Sequence, residues 1–168
     1  MPWIEFRPGY PWRRLREVEA AGRLSSPEPL QEEKVYHLRV LLADDHEDFL
    51  ALTARLLEPE FDVVQTVGDG KALLAAVASL DPNVVVLDIS MPVLNGIEAA
   101  RQLKAKASRA KIVFLTVHRD PDYIRAALAA GALGYVVKCR LASDLLLALR
   151  EVLAGRSFVS LSIKEDCS

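Results

Sequence analysis

Five short apolar runs recur between residues 38 and 137, and segments of helical length separate them. The run Val84–Leu87 is the clearest, because four consecutive aliphatic residues are typical of a strand buried on both faces of a parallel sheet. We predict strands over residues 38–43, 62–67, 84–88, 111–116 and 134–137.

The segments between these strands end at residues that commonly begin or terminate helices. Asp120 followed by Pro121 is typical of a helix start, with a capping side chain and a proline at the first helical position. Gly131 and Gly155 follow Ala-rich and Leu-rich runs, as glycines at helix C-termini do. We predict helices over residues 47–58, 70–80, 96–107, 121–130 and 142–154.

Strict alternation of strands and helices predicts an α/β fold, in which a parallel sheet carries helices on both faces. Residues 1–37 depart from this pattern, since they hold five of the nine prolines and both tryptophans and show no apolar periodicity. We interpret residues 1–37 as a partly disordered N-terminal extension, residues 38–158 as the folded domain and residues 159–168 as a C-terminal tail.

The composition argues against several classes of protein. A net charge of −2 gives no reason to expect binding to nucleic acid or to an acidic membrane surface. No apolar stretch approaches the roughly 20 residues that span a bilayer, and the N-terminus lacks the pattern of a signal peptide. Cys139 and Cys167 show neither metal-binding nor redox spacing, which fits a reducing, cytoplasmic setting.

Five polar residues end or follow strands of the predicted sheet. Because the carboxyl ends of parallel strands meet at one edge, we expect these side chains to converge there. They are Asp44 and Asp45 after the first strand, Asp88 at the end of the third, Thr116 at the end of the fourth and Lys138 after the fifth. Three carboxylates at one edge would repel one another unless a cation lay among them. The cluster therefore indicates a cation site.

The residue types suit phosphoryl transfer assisted by Mg²⁺. Magnesium prefers oxygen and is usually held by one or two carboxylates together with phosphate oxygens and water. Asp45 and Asp88 can supply carboxylates, and Asp44 can orient a bound water. The backbone carbonyl of Ser90 is a further candidate ligand. A carboxylate can also attack phosphorus to form an aspartyl phosphate, whose charge the lysine and threonine at the same edge can stabilise.

Four motifs make a family resemblance specific. They are ADDH at residues 43–46, LDISMP at 87–92 followed by Gly96, LT at 115–116 and GYVVK at 134–138. About 70% of the chain, residues 38–158, resembles the receiver domain of bacterial response regulators, which have a CheY-like fold. The opening Asp-Asp-His, the GYVVK run and GRSFVS at 155–160 are most similar to the NarL/FixJ subfamily. The resemblance implies a five-stranded parallel sheet in the order 2-1-3-4-5.

The resemblance also implies a role for each matched residue. Asp88 would accept phosphate from a sensor histidine kinase or a phosphotransfer protein, and Asp45 and Asp88 would bind Mg²⁺. Lys138 would contact the phosphoryl group, while Thr116 and Tyr135 would form a switch. The expected function is a two-component signalling switch, not an enzyme with turnover, beyond self-catalysed phosphorylation and dephosphorylation.

The chain departs from the family pattern in three places. Val117 follows Thr116 where the family usually has a small residue, so it could narrow access to the site. Cys139 follows Lys138 where many receivers carry a proline. NarL/FixJ regulators continue into a helix-turn-helix domain, but only 13 residues follow Gly155 here, so we expect no direct DNA binding.

The last predicted helix carries more leucines than one packed face needs. One face at helical spacing comprises Leu141, Leu145, Leu149 and Val152. Three further apolar residues fall outside it, namely Leu146, Leu147 and Leu153. These residues could widen the core contact or form a patch for a partner, and we favour a homodimer through this helix.

Two other functions are compatible with these residues. A receiver-like scaffold that is never phosphorylated is one alternative, although the complete polar set argues against it. A Mg²⁺-dependent aspartyl phosphatase is another, but such enzymes usually need a second acid two residues after the nucleophile, where this chain has Ser90.

His46 is interpreted as a solvated residue at a helix start, and His118 as a loop residue near the site that could influence hydrolysis.

Overall fold

The computed structural model describes residues 37–160, in which strands and helices alternate as the sequence predicts. The strands are β1 (Leu38–Ala43), β2 (Phe61–Val67), β3 (Val84–Leu87), β4 (Lys111–Thr116), β5 (Gly134–Val137) and β6 (Phe158–Val159). The helices are α1 (Glu47–Leu57), α2 (Gly70–Leu80), α3 (Gly96–Ala105), α4 (Pro121–Ala129) and α5 (Leu141–Leu153). A 3₁₀ turn, Lys138–Arg140, joins β5 to α5.

All neighbouring strands pair in parallel, in the order β2-β1-β3-β4-β5-β6. The predicted α/β class and the order 2-1-3-4-5 are confirmed. The expected number of strands needs a correction, because β6 adds a sixth strand beside β5. Two apolar residues are too few to predict a strand. The pairing with β5 fixes β6, since the Phe158 N–H donates to the carbonyl of Leu133 at 2.9 Å and the Ser160 N–H donates to the carbonyl of Tyr135 at 2.8 Å.

The sheet separates two apolar cores because successive side chains of each strand point to opposite faces. In β1, Val40 and Leu42 pack with residues of α1 and α5. Leu41 and Ala43 pack on the other face, with residues of α2, α3 and α4. Helices therefore cover both faces, as predicted. Among residues 37–160, no helix combines the length and the apolar character needed to cross a membrane.

Helix ends follow the signals in the sequence. The side chain of Asp120 accepts a hydrogen bond from the N–H of Asp122 at 2.8 Å, and Pro121 begins α4. Gly131 and Gly155 adopt φ angles of 103° and 81° after α4 and α5, a conformation that favours glycine. The proposed extension before residue 37 and the tail beyond residue 160 lie outside the described residues, and β6 spans the boundary predicted at residue 158.

Candidate functional site

Asp88 lies directly after β3, in the middle of the sheet, and is only 3% exposed. Its backbone N–H donates to the carbonyl of Ala43 at 2.9 Å, which holds it beside the end of β1. Oδ1 accepts a hydrogen bond from the N–H of Ile89 at 2.7 Å, and Oδ2 accepts one from Lys138 Nζ at 3.2 Å. Each oxygen of this buried carboxylate therefore has a donor, as a buried charge requires.

Lys138 bridges two buried carboxylates that come from different strands. Its Nζ lies 2.5 Å from Asp44 Oδ2 and 3.2 Å from Asp88 Oδ2. The same Nζ lies 4.4 Å from the centre of the Phe49 ring on α1, within the range of a cation–π contact. Because the lysine side chain is only 12% exposed, solvent screens these interactions weakly. The ammonium thus offsets part of the repulsion between the two acids.

Asp45 and His46 lie at the more open side of the same edge. The side chain of Asp45 is 36% exposed, and its Oδ1 lies 2.9 Å from His46 Nδ1. His46 Nδ1 also lies 3.0 Å from Asp44 Oδ1, which accepts the His46 backbone N–H at 3.0 Å. The hydrogen bond to Asp44, and then the charges of Asp45 and Asp44, raise the pKa of His46 above its ordinary value. His46 precedes α1 without a side-chain capping bond and is exposed, as expected at a helix start, but its ring also contacts both acids.

The donor atoms at this edge fit a hard divalent cation. One ligand atom each from Asp44, Asp45 and His46 lies within 4.8 Å of the others. Carboxylate oxygens are the ligands that Mg²⁺ prefers, whereas an imidazole suits softer metals. The oxygens of Asp44 and Asp45 therefore fit the expected ion, and Lys138 links Asp88 to Asp44. These donors form an acidic pocket of the kind that suits Mg²⁺.

Thr116 and Tyr135 are both fully buried and both contact the backbone of His118. Thr116 Oγ1 accepts the N–H of His118 at 3.4 Å, and the hydroxyl of Tyr135 donates to the carbonyl of His118 at 3.0 Å. Burial, and then the charge of Asp88, raises the pKa of Tyr135 well above its ordinary value. The tyrosine hydroxyl therefore stays protonated and remains a donor at neutral pH.

An open concavity lies beside Lys138 and has an apolar rim. It is lined by His46, Glu47, Asp48, Phe49, Leu52, Val117 and Lys138. Leu52 on α1 and Val117 after β4 are 55% and 62% exposed. Val117 thus lies at the entrance to the site, where a side chain larger than the usual small residue affects access.

Sequence reasoning missed three contributors to the site. Phe49 lies on α1, and the convergence of strand ends does not predict that its ring meets Lys138. The hydrogen bond between Ser90 Oγ and His118 Nε2, at 2.7 Å, joins two loops whose proximity follows only from the order of β3 and β4. Gly96 was noted in a motif, but its role is visible only in space: an added Cβ would lie 1.9 Å from the carbonyl oxygen of Asp88.

The chain is similar to several curated transcriptional regulators. It is 35% identical over 124 residues to the transcriptional regulatory protein DegU of Brevibacillus brevis, covering 73% of this chain and 52% of that protein. It is 33% identical over 123 residues to the nitrate/nitrite response regulator protein NarL of Escherichia coli strain K12, covering 72% of this chain and 57% of that protein. The chain thus spans little more than half the length of these relatives.

A solved structure and a family model agree with these similarities. The structure of a two-component response regulator of the LuxR family from Aurantimonas sp. SI85-9A1 superposes with a TM-score of 0.72 at 31% identity. It covers 79% of this chain and 96% of that one. Residues 40–150 match the model of the response regulator receiver domain. This chain belongs to the family of response regulator receiver domains of two-component signalling systems.

Proposed function

We propose that Asp88 accepts a phosphoryl group from the phosphohistidine of a sensor histidine kinase or a phosphotransfer protein. A carboxylate oxygen forms a bond to phosphorus as the P–N bond breaks, and the imidazole of the donor leaves with the electron pair. The observation that best supports this role is the arrangement of Asp88 and Asp44 around Lys138. It combines a buried nucleophile with a cation positioned to stabilise the charge of the incoming group.

We further propose that Mg²⁺ binds through Asp44, Asp45, Asp88 and the backbone carbonyl of Ser90. When bound, the ion neutralises charge on the phosphoryl group during transfer. Lys138 supplies positive charge from the protein itself, and its low exposure strengthens that interaction. Phosphoryl transfer depends mainly on such positioning and neutralisation, so no general base on this chain is required.

The proposed output is a change in a protein-binding surface. Thr116 would give up its contact with His118 and donate its hydroxyl to a phosphoryl oxygen. Tyr135 would then move into the vacated space, and the surface formed by β4, α4, β5 and α5 would change with it. A local charge change would in this way shift a two-state element that a partner protein recognises.

The proposal also covers the catalysis by this chain, its place of action and the form of its output. Any catalysis is confined to self-catalysed phosphorylation and dephosphorylation of Asp88, without turnover of a separate substrate. The site of action would be the cytoplasm, because the phosphohistidine donor is made there from ATP. A homodimer through α5 is one proposed form of the output, and contact with another protein is the second.

The test is phosphorylation with acetyl phosphate and Mg²⁺, followed by intact mass. We expect the chain to gain one phosphoryl group and Asp88→Asn to gain none. Asp62→Asn is the matched control, since Asp62 is exposed on β2 away from the site. Asp62→Asn should be modified like the unaltered chain.

Two outcomes would favour the alternatives. No adduct with acetyl phosphate or with a phosphorylated histidine donor would favour a scaffold that is never phosphorylated. Continuous turnover of a small phosphate ester would favour a Mg²⁺-dependent phosphatase. If no adduct forms when a chelator is present from the start of the reaction, the proposed role of Mg²⁺ is supported, and formation at an unchanged rate would contradict it.

A further inference from the structure

His118, in the loop between β4 and α4, contacts four separate parts of the site region. Its backbone N–H and carbonyl are the hydrogen-bond partners of Thr116 Oγ1 and the Tyr135 hydroxyl, at 3.4 and 3.0 Å. Its imidazole Nε2 lies 2.7 Å from Ser90 Oγ, in the loop after β3. Its ring stacks on Tyr123 of α4, with centroids 4.1 Å apart and planes inclined by 24°.

These contacts divide between the backbone and the side chain of the same residue. The imidazole is held on one side by Ser90 and on the other by Tyr123. The backbone of the same residue carries the partners of the Thr116 and Tyr135 hydroxyls. One residue thus joins the imidazole contacts to the backbone groups that both hydroxyls contact.

We propose that His118 is a positioning residue whose contacts with Ser90 and Tyr123 oppose the switch in Thr116 and Tyr135. This inference rests on the proposed phosphorylation of Asp88. For the Thr116 hydroxyl to reach a phosphoryl oxygen, and for Tyr135 to move, both must leave the backbone of His118. Anchoring that backbone through the imidazole stabilises the arrangement described here and makes the rearrangement less favourable.

The size of the effect follows from the kind of contact involved. Loss of one ordinary hydrogen bond or one aromatic stacking contact changes an equilibrium by a factor of roughly two to ten. A ligand that binds only the rearranged site gains apparent affinity by the same factor when the competing arrangement is weakened. The hydrogen bond between Ser90 and His118 can be removed by a substitution at either residue. Because both substitutions remove the same bond, their effects on affinity should not add.

The experiment measures binding of beryllofluoride, a phosphoryl analogue, to the full chain in the presence of Mg²⁺ by calorimetry. His118→Phe keeps an aromatic ring against Tyr123 but loses the bond to Ser90. Ser90→Ala removes the same bond and keeps the backbone carbonyl. We expect each variant to bind two- to tenfold more tightly than the unaltered chain, and the double variant to bind like either single one.

Two controls separate this role from a general structural one. His37→Phe makes the same substitution at an exposed residue before β1 and should leave the affinity unchanged. The affinity of His118→Phe for Mg²⁺ alone should also be unchanged, because His118 supplies no proposed ligand atom. Ser90 is exposed, so Ser90→Ala tests the proposal even if His118→Phe does not fold.

The failure of this inference is distinguishable from failure of the proposed function. If the unaltered chain binds no beryllofluoride and accepts no phosphoryl group, the proposed function itself is wrong. If the unaltered chain binds the analogue but both variants bind equally or more weakly, only the role of His118 is wrong. Additive gains in the double variant would also overturn it, since they would show that the two side chains act independently.

Discussion

Lys138 is the side chain on which two buried negative charges depend. Its ammonium lies between Asp44 and Asp88, and the ring of Phe49 lies within 4.4 Å of it. The position of Lys138 after β5 predicted its arrival at this edge, because parallel strands end together. The contact with Phe49 was not predictable from the same rule, since it depends on how α1 packs beside the sheet.

Replacing Lys138 by alanine removes the cation nearest to Asp88. We expect phosphorylation by acetyl phosphate to slow by about a hundredfold, the usual effect of removing one preorganised charge-stabilising group. Initial rates measured by intact mass test this expectation. Lys71→Ala, at an exposed lysine on α2, should react at the unaltered rate. A Lys138→Ala chain that reacts as fast as the control would contradict the proposed role.

Among the secondary-structure elements, α3 begins at a residue that has no side chain. Gly96 begins α3, and its N–H donates to the carbonyl of Ile89 at 2.9 Å. A Cβ at this residue would lie 1.9 Å from the carbonyl oxygen of Asp88, far inside van der Waals contact. The glycine therefore lets the helix approach the backbone of the candidate nucleophile closely.

Gly96→Ala should therefore destabilise the fold by about 1–3 kcal/mol or more, because the backbone at Asp88 must move. Urea unfolding measures the change. Gly68→Ala is the matched control, since an added Cβ there would meet only the Asp44 carbonyl oxygen, at 4.0 Å. The control should change stability by less than about 1 kcal/mol. Equal stabilities of the two variants would refute the close-approach argument.

A buried carboxylate at the start of α5 binds the residue that directly follows the short strand β6. Asp144 is 6% exposed and accepts hydrogen bonds from Arg140 Nε, Ser143 Oγ and Ser160 Oγ at 2.9, 2.7 and 2.6 Å. Burial alone would raise the pKa of Asp144, but the hydrogen bonds from Arg140, Ser160 and Ser143 outweigh it and lower the pKa below its ordinary value. This network was not visible in the sequence, because Ser160 is brought to Asp144 only by the pairing of β6.

A carboxylate with a lowered pKa in the folded state contributes stability above its unfolded pKa, about 3.9, and loses it as pH falls through the folded value. Asp144→Asn should be less stable than the unaltered chain at pH 7 by roughly 1–3 kcal/mol. The difference should narrow as the pH is lowered below about 4. Urea unfolding across this range tests the prediction, with Asp62→Asn as control. A difference that stays constant with pH would contradict it.

For the whole molecule, the sequence predicted the architecture and most element bounds. The apolar runs and their terminating residues placed β1, α2, β4 and β5 at their observed limits, and the other predicted elements within two residues. The sixth strand and the contacts between loops were missed, because they depend on which chain segments meet in space. The predicted convergence of Asp44, Asp88 and Lys138 is what the structure shows directly.

The leucines of α5 outside its main apolar face differ in burial, which the sequence alone does not predict. Leu146 and Leu153 are partly buried against the core, whereas Leu147 is 47% exposed. If α5 forms a homodimer contact, Leu147→Lys should abolish self-association without loss of the fold, measured by sedimentation velocity and circular dichroism. Leu52→Lys, at an exposed leucine on α1, is the matched control. An oligomeric state that Leu147→Lys leaves unchanged would exclude this interface.

The proposed switch requires the phosphoryl group to reside on Asp88. The most direct measurement treats the phosphorylated chain with borohydride, which reduces an acyl phosphate, and maps the altered residue by peptide mass spectrometry. We expect the modification at Asp88 alone, and no modification when Mg²⁺ is omitted from the phosphorylation reaction. A modified residue elsewhere, or no acyl phosphate with any donor, would show that Asp88 is not the phosphoacceptor.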